Sequence, residues 1–337
     1  MPQPDPQPTD AIHRLIPGPA GRIHLVEQGT GPLVLLLHGF PESWYSWRHQ
    51  LPVLAAAGYR AVAVDVRGYG RSSKPDAVDA YRMLDLVADT VAVVEALDGR
   101  PAVVVGHDWG ATIAAHSALV RPDVFRAVGL LSVPYTPPGG PRPTEIFAQL
   151  GGGKEEFYVS YFQEPGRAEG EIEPDVRGWL AGFYAALSAD TMPAPGAPDP
   201  HFVSPGGTLR DRFPDRAPAW LGEHELGFYA GEFEHTGLTG ALNRYRAMDL
   251  DWKDLADYAG APITQPSLFL GGSLDASTTW LSDAIEAFPT TLPGLHASHL
   301  LAGCGHWIQQ ERPEEVNGHL LDWLESCGRS AGGDSGR

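Results

Sequence analysis

The chain has 337 residues, 43% of them hydrophobic, which is enough for two domains or for one α/β domain with a sizeable insertion. Its formal charge of −18 argues against nucleic acid and anionic membrane surfaces as partners. Two cysteines, Cys304 and Cys327, cannot build a disulfide framework and are not spaced as a metal site.

In chain order, the start (MPQPDPQPTDAIHR) lacks the basic and apolar stretches of a secretory signal, and residues 1–10 are expected to fray. Residues 22–27 (RIHLVE) alternate as a half-buried strand does, and 33–37 (LVLLL) read as a strand covered on both faces. A helix around 46–57 precedes a strand at 59–64, and a helix at 84–97 precedes another buried strand at 102–105. A helix after Trp109 and a strand at 127–131 follow. This alternation predicts a parallel sheet with helices on both faces, binding ligands beyond the carboxyl ends of its strands. From 144 to 250 the pattern changes to helical runs rich in aromatics, clearest at 173–187 and 223–235, with no convincing buried strand. The stretch 185–221 is loop-rich, strands return at 267–270 and 299–301, and a helix closes the chain near 313–325. The expected organisation is a core at 11–136, a helical cap at 137–250, the rest of the core at 251–326, and frayed tails at 1–10 and 327–337. No apolar run approaches the ~18 residues of a membrane span, so a soluble cytoplasmic protein is expected.

Three segments carry chemistry. In VGHDWGA (105–111) Asp108 stands between a buried strand and an Ala-rich helix, flanked by small residues as a nucleophile elbow requires. A carboxylate there needs no deprotonation at pH 7 and can attack an sp³ carbon to form an alkyl ester. Read in isolation, Asp108 also suits a helix cap. LHGFPE (37–42) follows the first buried strand; GCGHW (303–307) places His306 in a glycine-flanked loop, and Asp275 lies just past another strand. Nucleophile, acid, histidine is the chain order of α/β-hydrolase triads. The expected fold class is therefore α/β, an α/β-hydrolase fold with a mostly parallel central sheet flanked by helices and an inserted helical cap. In such folds the loop after the first buried strand and the residue after the nucleophile supply oxyanion-hole amides, here Phe40 and Trp109.

The runs HGFPESWYSWRHQ, DVRGYGRSSKP, GHDWGA and GCGHWIQQERPEEVN resemble soluble epoxide hydrolases of the bacterial type, over nearly the whole chain from about Gly21 to Leu324. The resemblance implies two cap tyrosines that donate to the epoxide oxygen. Tyr158 matches one, with Tyr161 a competing candidate one helical turn on, and Tyr245 matches the other. Many relatives carry an aromatic where Arg244 stands. The implied reaction takes a small-molecule epoxide and water to a vicinal diol through an ester on Asp108. That ester is hydrolysed by water activated by His306, which Asp275 orients; no metal and no cofactor is needed. Phe40, Pro41, Trp109, Tyr161 and Trp307 are the expected substrate contacts, and the protein is expected to be a monomer or a homodimer.

Neighbouring chemistries fit less well. Haloalkane dehalogenases share the elbow aspartate, but Phe40 stands at a first-loop position from which their Asn commonly binds halide, and its side chain cannot donate. An esterase lacks its serine here, no HExxH run supports a zinc hydrolase, and a non-catalytic binder would show a damaged triad.

Overall fold

The computed structural model describes residues 11–98, 101–194 and 196–331. The sheet begins with a hairpin, β1 (Ile12–Gly18) and β2 (Gly21–Gln28), and continues with β3 (Leu33–Leu37), β4 (Arg60–Val64), β5 (Ala102–His107) and β6 (Phe125–Leu131). A short two-stranded ribbon, β7 (Glu156–Phe157) and β8 (Phe202–Val203), stands apart from it. β9 (Ser267–Gly272) and β10 (Leu295–Leu301) complete the main sheet, whose order is β1-β2-β4-β3-β5-β6-β9-β10. From β4 onward neighbours pair in parallel; the β1–β2 and β2–β4 pairs are antiparallel. Every residue of β3 and β5 is buried, the condition that their unbroken apolar runs imply for strands with helices on both faces.

The helices in order are α1 (Gln50–Ala56), α2 (Met83–Leu97) and α3 (Trp109–Val120), then, between β6 and β9, α4 (Pro143–Leu150), α5 (Tyr158–Tyr161), α6 (Arg167–Ile172), α7 (Val176–Ala186), α8 (Glu223–Thr236), α9 (Thr239–Arg246) and α10 (Met248–Asp254). This helical segment packs its aromatics against the carboxyl-end face of the sheet: Phe183 and Tyr245 meet Phe40 at ring separations of 5.8 and 5.3 Å. The fold is the expected α/β architecture. Three details differ from the sequence reading. β1 escaped notice because its residues are mostly exposed and it carries Pro17 next to its end, so neither alternation nor burial marks it. The helical segment holds the β7–β8 ribbon, whose two-residue strands are too short to show any period. The closing helix, Pro313–Ala331, runs through residues expected to fray, and Cys327 is buried. Residues 1–10 and 332–337, the rest of the expected tails, lie outside the described residues.

Candidate active site

Each candidate group sits just beyond the carboxyl end of a strand: Phe40 after β3, Asp108 after β5, Asp275 after β9 and His306 after β10. Asp108 has φ 52 and ψ −121, a conformation that costs a non-glycine residue about 1–3 kcal/mol and lifts its carboxylate out of the turn. The neighbours make room for it. A Cβ on Gly106 would collide with the Gly110 carbonyl, and one on Gly39 would collide with the Asp108 carboxylate itself.

The Asp108 carboxylate is divided between two partners. The Phe40 N–H donates to Oδ1 at 2.8 Å, and Oδ2 lies 3.6 Å from His306 Nε2. On its other side, His306 Nδ1 lies 3.1 Å from both oxygens of the buried Asp275. Burial would push the His306 imidazole down. The Asp275 charge and the hydrogen bonds to Asp108 and Asp275 outweigh burial, and its pKa stands well above the ordinary value. For Asp275, burial acts upward, but the charge and hydrogen bond of His306 and the Ser277 N–H carry its pKa below the ordinary value.

A second carboxylate ties these segments together. Glu42, fully buried, accepts from the Gly39 N–H at 3.0 Å and pairs with His107 Nδ1 at 2.7 Å. Its other oxygen accepts from the side-chain amides of Gln309 and Gln310, at 3.1 and 3.2 Å. The far nitrogen of His107 meets the His306 carbonyl at 2.8 Å, and Ser132 Oγ donates to the same carbonyl at 2.6 Å. One carboxylate thus fixes the turn that presents the Phe40 amide, the residue before Asp108 and the strand of chain after His306. Glu311 holds the His306 loop from outside, accepting the N–H groups of Ala189, Gly305 and Trp307 at 3.0–3.1 Å. Glu42, His107 and Glu311 stand in the runs LHGFPE, VGHDWGA and GCGHWIQQERPEEVN, where sequence alone assigns none of them a role. A buried polar partnership between segments more than sixty residues apart leaves no periodic trace.

Two cavities meet at Asp108 and share Tyr158, Tyr245, Ser277 and Trp280 in their walls. Phe40 and His306 line the narrower; Trp109 lines the wider. Tyr158 begins α5, directly after β7, and Tyr245 is on α9; Gln163 bridges the two helices by donating to the carbonyls of Val159 and Tyr245. Burial raises the pKa of both phenols, with the Asp108 charge adding to it, so both keep their protons at neutral pH. The Tyr245 ring also stands edge-on to Trp109, over which the Arg244 guanidinium lies at 4.9 Å. Arg244 is itself buried and ion-paired with Asp251.

Three expected substrate contacts fall elsewhere. Tyr161, one turn from Tyr158, points away: its hydroxyl donates to Glu171 at 2.6 Å and Arg167 stacks on its ring. The Trp307 indole donates to the Tyr184 carbonyl at 3.0 Å and supports His306 edge-on from behind, so it lines neither cavity. The carbonyl of Pro41 accepts from Tyr184, and this residue too is buried away from both cavities. Among the described residues no group of His, Cys, Asp and Glu converges so as to hold a metal ion. None of the described helices is long and apolar enough to cross a membrane.

Comparison with known proteins identifies the family. The family profile described as alpha/beta hydrolase fold matches residues 32–313. Epoxide hydrolase B of Mycobacterium tuberculosis is 43% identical, over 93% of this chain and 98% of that protein. Epoxide hydrolase A of the same organism is 42% identical, over 92% and 96%. Among solved structures, an epoxide hydrolase from an endophytic Streptomyces is 68% identical with a TM-score of 0.93, covering 95% of this chain and 97% of that one. Epoxide hydrolase A from Mycobacterium thermoresistibile, 42% identical, superposes with a TM-score of 0.87 over 94% and 98%. The chain belongs to the epoxide hydrolases of the α/β-hydrolase fold.

Proposed function

We propose that the protein opens an epoxide to a vicinal diol in two covalent steps on Asp108. The observation that carries this reading is the division of the Asp108 carboxylate. One oxygen is held by the Phe40 amide; the other lies beside His306 and borders the cavity that Tyr158 and Tyr245 also line. Asp108 Oδ2 attacks one ring carbon, the carbon–oxygen bond breaks, and a tyrosine gives its proton to the departing oxygen. Neutral phenols suit this because their raised pKa keeps a proton to give. What remains is a hydroxyalkyl ester whose carbonyl oxygen is Oδ1, already seated at Phe40.

Esterification removes one of the two anions beside His306. Its imidazolium then loses support and returns a proton to the tyrosinate, leaving a neutral base still oriented by Asp275. His306 takes a proton from water as its oxygen attacks the ester carbon. The oxyanion forms on Oδ1 against the Phe40 amide, and against that of Trp109 as the first N–H of α3, which has no partner within the helix. Collapse expels the diol and restores the Asp108 carboxylate and the imidazolium. Around these groups, the helical segment 137–250 acts as the cap and supplies both phenols.

The test is to stop the second step. A His306→Gln protein mixed with an epoxide should gain the full mass of the substrate on the peptide that carries Asp108, and His306→Gln with Asp108→Ala should gain nothing. Equal labelling of the double variant would contradict the proposal.

A further inference from the structure

The two cavities that meet at Asp108 differ in size and character. The wider has a volume of about 520 Å³, within the range of pockets that enclose a drug-sized ligand. The narrower offers about 40 Å³, room for a few waters at ~10–15 Å³ each. The wide chamber runs under α4, a helix with no buried residue, from which Ile146, Phe147 and Leu150 face it. Ile146, Leu150 and Trp280, on its rim, are 41%, 50% and 46% exposed, apolar surface that none of the described residues covers. Among the described residues no lysine, arginine or histidine lines the wide chamber, so a carboxylate drawn into it would be desolvated without a cationic partner.

The narrow side is closed by Phe213. Its ring packs edge-on to Trp179 and Phe183, at 5.5 and 5.9 Å, and forms a wall of the narrow cleft. Its far face lines an outer cleft of about 430 Å³ beside Arg210 and Arg216. The phenyl ring is therefore a partition between a small catalytic cleft and a large solvent-facing one.

We propose that the site takes epoxides bearing one long or bulky uncharged apolar substituent, seated under α4, and that Phe213 closes the opposite side against a second such group. This rests on the reading of Asp108 as the nucleophile that opens an epoxide. The narrow cleft, which holds His306, then keeps its space for the hydrolytic water.

Four substrates test it with the purified protein: a linear ten-carbon epoxide with the ring at its end, its isomer with the ring at mid-chain, the terminal epoxide ending in a carboxylate, and a four-carbon terminal epoxide. The expected result is a kcat/KM for the ten-carbon terminal epoxide about tenfold or more above both the mid-chain isomer and the acid. Phe213→Ala, with Phe213→Leu as the milder variant, should narrow the gap to the mid-chain isomer by raising that isomer's kcat/KM. Ile146→Asp should lower kcat/KM about tenfold more for the ten-carbon terminal epoxide than for the four-carbon one. Turnover without that preference, or a mid-chain isomer favoured by the unaltered protein, overturns the assignment and leaves the nucleophile standing. No turnover of any of the four, the short one included, overturns both.

Discussion

Replacing Glu42 by Gln removes one negative charge while keeping the side chain's size. The Glu42 carboxyl is buried, which would raise its pKa, but His107, by charge and hydrogen bond, and the Gly39 N–H hold it at about 2 against an ordinary 4.5. That interval, at about 1.4 kcal/mol per pH unit, corresponds to about 3 kcal/mol of folding stability. Loss of one partner from a buried charged pair costs ~3–5 kcal/mol, the same order. Glutamine cannot recover it: its single oxygen can serve either Gly39 and His107 or the two glutamine amides, and its NH₂ group then faces donors. Because the folded pKa is depressed, the contribution is fully present above about pH 4.5 and disappears as pH falls toward about 2. Urea unfolding of both proteins should show a gap of about 3 kcal/mol at pH 7, constant down to about pH 5 and shrinking below it. Activity should fall with it, since the turn presenting the Phe40 amide loses its anchor. A loss under about 1 kcal/mol, or a gap that persists unchanged below pH 4.5, would refute the reasoning.

Other outcomes follow from the same geometry. Tyr158→Phe and Tyr245→Phe should each slow formation of the ester by about 10²-fold in stopped-flow experiments, with protein stability little changed. His306 has a raised folded pKa, so its contribution to stability is complete below the unfolded value of about 6.5 and is lost as pH rises through the higher folded one. The stability difference between the unaltered protein and His306→Gln should therefore shrink with rising pH in urea titrations; a difference that grows would be the wrong sign. Gly39→Ala should abolish turnover while leaving the circular dichroism of the fold in place, because the added methyl displaces the Asp108 carboxylate. Arg244→Ala leaves the buried Asp251 carboxylate without its cation, held by the Met83 N–H, and should cost ~3–5 kcal/mol in urea unfolding, whereas Arg244→Ala with Asp251→Ala should cost less than the sum of the two single changes.

How much of this is legible without coordinates depends on how local the signal is. Strands such as β3 and β5, covered on both faces, are written as unbroken Val and Leu runs. The elbow is local in part: Gly106 makes room for the Gly110 carbonyl within one turn, whereas Gly110 makes room for the Leu37 carbonyl at the end of β3. The order of Asp108, Asp275 and His306 follows from where strands end. Tyr158 and Tyr161, by contrast, differ by one turn on α5, and only the packing of Glu171 and Arg167 around the latter decides which faces Asp108. Trp307 and Pro41 adjoin residues of the site in sequence, yet Tyr184, from a distant helix, takes both into the interior behind it. The wall made by Phe213 lies in a stretch that reads only as loop, because its meaning comes from Gly182, where a Cβ would run into the ring.

The central claim is that the ester on Asp108 exists and is broken at its carboxyl carbon. A single turnover in water enriched in heavy oxygen, with protein in excess over epoxide, addresses it most directly. The first diol released should be essentially unlabelled, its new oxygen having come from Asp108, with one heavy oxygen left in the carboxylate. Solvent oxygen in that first diol, with none in Asp108, would mean that water opens the ring directly and that Asp108 is no nucleophile.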